Sequence, residues 1–86
     1  MTSKLKLYSR QYCHLCQDML AALDVLRGEL AREFPFEVVV VDVDADPTLL
    51  AKYDELVPVL AADDRELCHY FLDALKVREY LGHVRP

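Results

Sequence analysis

Across Cys13 and Cys16 the spacing of apolar residues changes, and that change limits what the chain can become. Upstream, Lys4-Leu5-Lys6-Leu7 alternates polar and apolar, which over so short a run means a strand, extending to about Ser9. Arg10-Gln11-Tyr12 is a short polar loop carrying the chain to Cys13. From about Cys16 the apolar residues Met19, Leu20, Leu23, Leu26 and Leu30 recur at intervals of three and four, one face of a helix. Gln17, Asp18, Asp24, Arg27 and Glu29 supply its polar face. Asp18 is placed in the first turn, where its charge suits the helix dipole. Gly28 costs about 1 kcal/mol relative to alanine in mid-helix, which predicts compensation by close packing. Pro35 is expected to stop the helix near Glu33 or Phe34. Two cysteines separated by two residues, between a strand and a helix, form the context in which this spacing reads as a redox pair. The thiols can meet at the helix start, and that end of a helix favours negative charge on the first sulfur.

The chain has 86 residues, which points to one domain spanning 1–86, large enough for a modest core without staples. Hydrophobic residues make up 53% and charged residues 29%, a globular balance rather than a disordered one. The formal net charge of −5 repels phosphate backbones, so nucleic acid is not an expected partner. No apolar run approaches a membrane span, and the first four residues lack the apolar core of a signal peptide. A cytoplasmic protein is expected, and in a reducing compartment a close cysteine pair is catalytic or metal-binding rather than structural.

Phe36 to Val43 contains four consecutive valines, Val38 to Val41, and reads as a strand covered on both sides. Strand, helix and buried strand make a βαβ unit with parallel strands. Asp46-Pro47 has the form of an N-cap followed by proline at the first helical position, opening a short helix over Thr48 to Tyr53 with Leu49, Leu50 and Tyr53 inward. In Val57-Pro58-Val59-Leu60 the proline cannot donate to a ladder. Two readings stay open: an edge strand, or a cis-proline where the strand begins. A turn over Ala61 to Asp64 and a strand over Arg65 to Phe71 complete an antiparallel hairpin. Asp73 caps a last helix, with Leu72 and Val77 placed as a hydrophobic staple. That helix is expected to run to about Leu81, with Gly82 as its C′ residue. The order β-α-β-α-β-β-α gives an α/β fold with one four-stranded mixed sheet flanked by helices.

With these elements in place, the chain resembles the thioredoxin-like fold and, within it, the glutaredoxin-like proteins. The resemblance rests on Leu7-Tyr8-Ser9 leading into Tyr12-Cys13-His14-Leu15-Cys16, on the order of elements, and on Val57-Pro58 opposite. It looks closest to the small bacterial glutaredoxin-like proteins of unassigned function. The resemblance implies that Pro58 is cis and packs beside the cysteines, that Cys13 is the exposed nucleophile, and that Cys16 is the resolving thiol. Two features depart from the family. His14-Leu15 stands where glutaredoxins usually carry Pro-Tyr between the cysteines. The segment Glu66-Leu67-Cys68-His69 runs on without the Gly-Gly step that accompanies glutathione binding.

The expected chemistry is thiol-disulfide exchange. Arg10, three residues upstream, and the adjacent His14 are both placed to favour the Cys13 thiolate. Tyr12 either lines a substrate groove or packs in the core. A cis Val57-Pro58 step would turn the Val57 backbone toward the pair and offer strand-like hydrogen bonds to an extended substrate. The substrates implied are small disulfides or mixed disulfides of proteins. No organic cofactor is needed, and glutathione enters only as a co-substrate. No nucleic acid, membrane or oligomeric partner is expected. Zinc held by Cys13, Cys16, Cys68 and a histidine is a weaker reading, because Cys68 and His69 point to opposite faces of a strand. Cys68 reads as a small core hydrophobe. Asp42, Asp44 and Asp46 lack the glycine and terminal glutamate of a calcium loop, so they read as a solvated strand end and helix cap. The competing class is a non-enzymatic module that binds a protein or a metal through the pair.

Overall fold

A computed structural model describes residues 3–63 and 65–84. Four strands form one sheet in the order β2-β1-β3-β4: β1 (Ser3–Ser9), β2 (Phe36–Asp42), β3 (Val59–Ala62) and β4 (Arg65–His69). β1 pairs parallel with β2, and β3 pairs antiparallel with both β1 and β4. The helices are α1 (His14–Leu30), α2 (Pro47–Tyr53) and α3 (Ala74–Val84), with a 3₁₀ turn at Val43–Ala45. This is the mixed α/β architecture expected from the sequence. Among the described residues no helix is long and apolar enough to cross a membrane.

Alternation in β1 divides the core in two. Leu5 and Leu7 face one cluster, built with Met19, Leu23, Leu26 and Leu30 of α1 and Val77 and Leu81 of α3. Tyr8 faces the other cluster, with Val43, Tyr53, Val59 and Ala61. Helices α1 and α3 therefore cover one face of the sheet, and α2 covers the other near the C-terminal end of β1. There the Tyr8 and Tyr53 rings stack with centroids 4.5 Å apart. Every residue of β3 is buried, as befits a strand between two neighbours.

Local chemistry explains most boundaries. Asp46 caps α2 by accepting the Thr48 N–H at 2.8 Å, with Pro47 at the helix start. Such a cap is worth about 1 kcal/mol. Asp73 accepts the Lys76 N–H at 3.2 Å at the start of α3, and Leu72 and Val77 join one cluster as the staple requires. The Val57-Pro58 bond is cis, at the entry to β3 and not on an edge strand.

Several expectations are corrected. The valine run is not covered on both sides. β2 is an edge strand, only Phe36 in it is fully buried, and Val39 and Val40 are about half exposed. The two clusters centre on β1 and β3, so apolar side chains on β2 lie at the margin of both. Helix α1 starts at His14, so Asp18 lies beyond its first turn. It ends at Leu30 and gives way to a turn that keeps helical backbone at Ala31 and a Phe34 N–H bond to the Leu30 carbonyl at 2.8 Å, just before Pro35. Gly28 is not packed against anything: a Cβ there would meet open space. β3 continues through Ala62, which shortens the expected turn to Asp63, at φ 54; Asp64 lies outside the described residues. β4 stops at His69: the Tyr70 N–H still bonds across to the Pro58 carbonyl, and its left-handed φ of 64 then turns the chain away. Helix α3 runs through Gly82 to Val84.

Candidate functional site at the start of α1

The cysteine pair stands where β1 hands over to α1. Cys13 is the N-cap residue of α1, with extended backbone at φ −108 and ψ 109. Its carbonyl accepts the Gln17 N–H at 3.1 Å, the first bond of the helix, and its Sγ accepts the Cys16 N–H at 3.1 Å. A sulfur thus takes the place of the usual capping oxygen, directed at otherwise unsatisfied N–H groups. The same donor and the positive end of the helix favour a thiolate at Cys13. Cys16 lies one turn in, 4% exposed, and its Sγ is in disulfide contact with Cys13 Sγ across a Cα–Cα distance of 5.2 Å. Cys13 is only partly covered. The two sulfurs are close enough to exchange a bond, and they differ in access.

The register of the sheet brings Pro58 to this end of the molecule. Val59 pairs with Tyr8, so the cis step lies beside the end of β1, four to five residues before Cys13. Pro58 is buried. The Val57 N–H already donates to the Tyr53 carbonyl at 3.2 Å, so one of the two backbone groups expected to meet a substrate is engaged within the protein. His14 is exposed at the first position of α1. Tyr12 is 96% exposed, which removes the core-packing reading. Its φ of 58 is unfavourable for a bulky residue by about 1–2 kcal/mol.

Arg10 does not act as sequence proximity suggested. Its Nε and a terminal nitrogen both reach Asp44 at 3.1 Å, and its other terminal nitrogen reaches Asp54 at 3.0 Å. The hydrogen bond to Asp44, then the Asp44 charge, hold the guanidinium above its usual pKa. Its charge is therefore matched by two carboxylates. Arg10 instead ties the loop before Cys13 to the 3₁₀ turn and to the end of α2, the helix that leads to Val57-Pro58. Of the acidic trio, Asp42 accepts the Asp44 N–H, Asp44 binds Arg10 and Asp46 caps α2.

Sequence reasoning missed Tyr70 and Phe71 as neighbours of the site. The Tyr70 N–H donates to the Pro58 carbonyl at 2.9 Å and its hydroxyl to the Glu55 carbonyl at 2.6 Å. The only available clue was two β-forming aromatic residues, which read equally well as the end of a strand. Cys68 is in the core cluster, as expected. Burial pushes its thiol pKa up, against an opposing pull from the Asp73 N–H at 3.5 Å. Among the described residues no three His, Cys, Asp or Glu side chains are arranged to hold a metal ion.

This sheet order, with a cysteine pair capping α1 beside a cis-proline, defines a thioredoxin-fold protein. Solved structures agree: chloroplastic thioredoxin z superposes with a TM-score of 0.64 at 22% identity over 95% of this chain and 77% of that one. Thioredoxin 1 from Thermosipho africanus gives 0.59 at 18% identity over 93% and 96%. The X. campestris protein XcR50 is more similar in sequence, with 35% identity and a TM-score of 0.66 over 94% of this chain and 95% of its solution structure. The model of the glutaredoxin-like domain family (DUF836) matches residues 4–82, and the chain belongs to that family. No curated protein sequence matches the chain.

Proposed function

We propose that the protein is a dithiol-disulfide oxidoreductase of a reducing, cytoplasmic compartment. The observation that carries this reading is the sulfur of Cys13 at the open end of α1, accepting the Cys16 N–H, with the buried Cys16 sulfur in contact behind it. In the reduced protein the Cys13 thiolate attacks a substrate disulfide and forms a mixed disulfide. The Cys16 thiolate then attacks Cys13 Sγ, restores the intramolecular bond and releases the second substrate thiol. The sulfurs carry both electrons, so no organic cofactor is required. Val57 and Pro58 flank the attacked bond, with the Val57 carbonyl offered to an extended substrate, and Tyr12 and His14 border the entry. The protein acts as a monomer on small or protein disulfides.

Two measurements test this. In a redox titration the Cys13–Cys16 couple is expected to show a two-electron midpoint between about −270 and −200 mV, spanning thioredoxin-like and glutaredoxin-like values. A pair that stays in one state at every potential, together with failure to reduce insulin, would favour the binding-module class instead. In the reduced protein, alkylation across pH is expected to modify Cys13 first, with an apparent pKa below the usual 8.5. Cys68 should react last, because burial keeps it protonated and covered. Earlier reaction at Cys16 would reverse the assignment of nucleophile.

A further inference from the structure

The end of the sheet that carries the cysteine pair also presents rings and carboxylates. Tyr12 projects beside Cys13 in left-handed backbone, with nearly its whole surface in water. A second set of rings closes the end of β4. Tyr70 is fastened to Glu55 and Pro58, and the Phe71 N–H turns back onto the His69 carbonyl at 2.7 Å, a γ-turn about Tyr70. That turn leaves the Phe71 ring 68% exposed. Because Tyr70 is bonded to Pro58 and Val59 pairs with Tyr8, these rings belong to the end of the sheet from which Cys13 emerges. Tyr70 is held within the fold by these hydrogen bonds and by an edge-on contact with the His69 ring, whereas Tyr12, in left-handed backbone, and Phe71 stand largely in solvent, and such features gather at binding sites.

Charge at this end is predominantly negative. Asp42, Asp44, Asp46, Asp54 and Glu55 lie exposed on the connections around α2. Arg10 offsets one of these charges, shared between Asp44 and Asp54, and Lys52 lies 5.1 Å from the centre of the Tyr53 ring, so the acids remain in excess. Exposed aromatic rings at a negatively charged end of the sheet are the chemistry that recognises a cation. An anionic thiol compound meets repulsion at the same place.

We infer that the Cys13–Cys16 pair acts on protein disulfides whose cysteines are flanked by lysine or arginine, received by the rings of Tyr12, Tyr70 and Phe71 within an acidic surround, and that it discriminates against anionic disulfides such as oxidised glutathione. This rests on the oxidoreductase reading and names its substrate class. The exchange balances with the reduced pair as the sole reductant. Cys13 forms a bond to one substrate sulfur and releases the other as a thiolate. Cys16 then closes on Cys13 and releases the first. Two electrons pass to the substrate, the Cys16 proton goes to one product thiol, and the other product leaves as a thiolate that takes its proton from solvent.

The test is a single-turnover measurement with protein reduced by dithiothreitol and then desalted. The probes are size-matched, capped tripeptide disulfides of sequence Lys-Cys-Lys, Ser-Cys-Ser and Glu-Cys-Glu, alongside oxidised glutathione. Each rate is divided by that of dithiothreitol on the same probe, which removes differences in thiol pKa. At low salt the lysine probe is expected to react about tenfold faster than the glutamate probe and glutathione, an advantage shrinking below about threefold in 0.5 M salt. Tyr12→Asn, a residue that tolerates left-handed backbone, is expected to lower the lysine-to-serine rate ratio by about threefold. Equal normalised rates on all probes, or faster reaction with glutathione, overturn this inference alone. No reaction with any probe overturns the oxidoreductase reading and this inference with it.

Discussion

Cys13→Ser is expected to lower disulfide reduction by about 10³-fold or more, to the uncatalysed rate, while Cys16→Ser stops the reaction halfway. The difference follows from geometry. Cys13 is the partly accessible sulfur at the N-terminus of α1, and the Cys16 N–H directed at it stabilises a negative charge there. A serine hydroxyl at that position stays protonated at neutral pH and cannot exchange with a disulfide. Cys16 is 4% exposed, so an incoming disulfide meets Cys13 first, and Cys16 reaches only what is already bound to Cys13. Without it, the mixed disulfide has no internal thiol to resolve it, since Cys68 is held in the core cluster. Mass spectrometry of Cys16→Ser after one equivalent of a peptide disulfide should therefore show one peptide thiol added, removable by dithiothreitol. Accumulation of adduct on Cys13→Ser instead would exchange the two roles.

What could be read from the sequence was whatever local chemistry enforces. The cysteine pair at a change of period, the Asp46-Pro47 cap and the interruption at Pro58 each involve neighbours in the chain, and each lies where expected. Features that depend on distant partners were hidden. Four valines are equally apolar in a central strand and at an edge, and only the pairing of β1 with β3 on its other side shows that β2 is outermost. The start of α1 was displaced because a cysteine is not among the usual capping residues, yet its sulfur accepts the N–H that an aspartate oxygen would. Arg10 lies three residues from Cys13 in sequence, but its partners lie 34 and 44 residues away. No local pattern carries that information, so its charge was assigned to the thiol when the fold gives it to Asp44 and Asp54. Tyr70 and Phe71 were absorbed into a strand by their own propensity. The turn that takes them out of it is closed by backbone bonds to Pro58 and His69.

The scaffold under the pair is open to a direct test, and Leu23→Ala is expected to lower stability by about 3 kcal/mol. Leu23 is 0% exposed on the inner face of α1, in the cluster that also holds Leu5, Leu7, Met19, Leu26 and Leu60. Truncation removes the transfer energy of the lost methyl groups and leaves a cavity that the sheet and two helices cannot fully close. A domain of this length has a total stability of roughly 4–13 kcal/mol, so the loss is a large share of the whole. The melting temperature should fall by roughly 12–24 °C, and the urea midpoint should drop with little change in slope. Val25, two residues further along the same helix, is 65% exposed, and Val25→Ala should change stability by no more than about 0.5 kcal/mol. Both substitutions introduce the strongest helix former, so a deficit at Leu23 comes from lost packing and not from lost helix propensity. It also bears on the chemistry, because the cap at Cys13 has a fixed position only while α1 is pinned to β1 and β3 by this face. Equal losses at the two positions would mean that Leu23 does not anchor the helix, and the placement of Cys13 beside the end of β1 would need another cause.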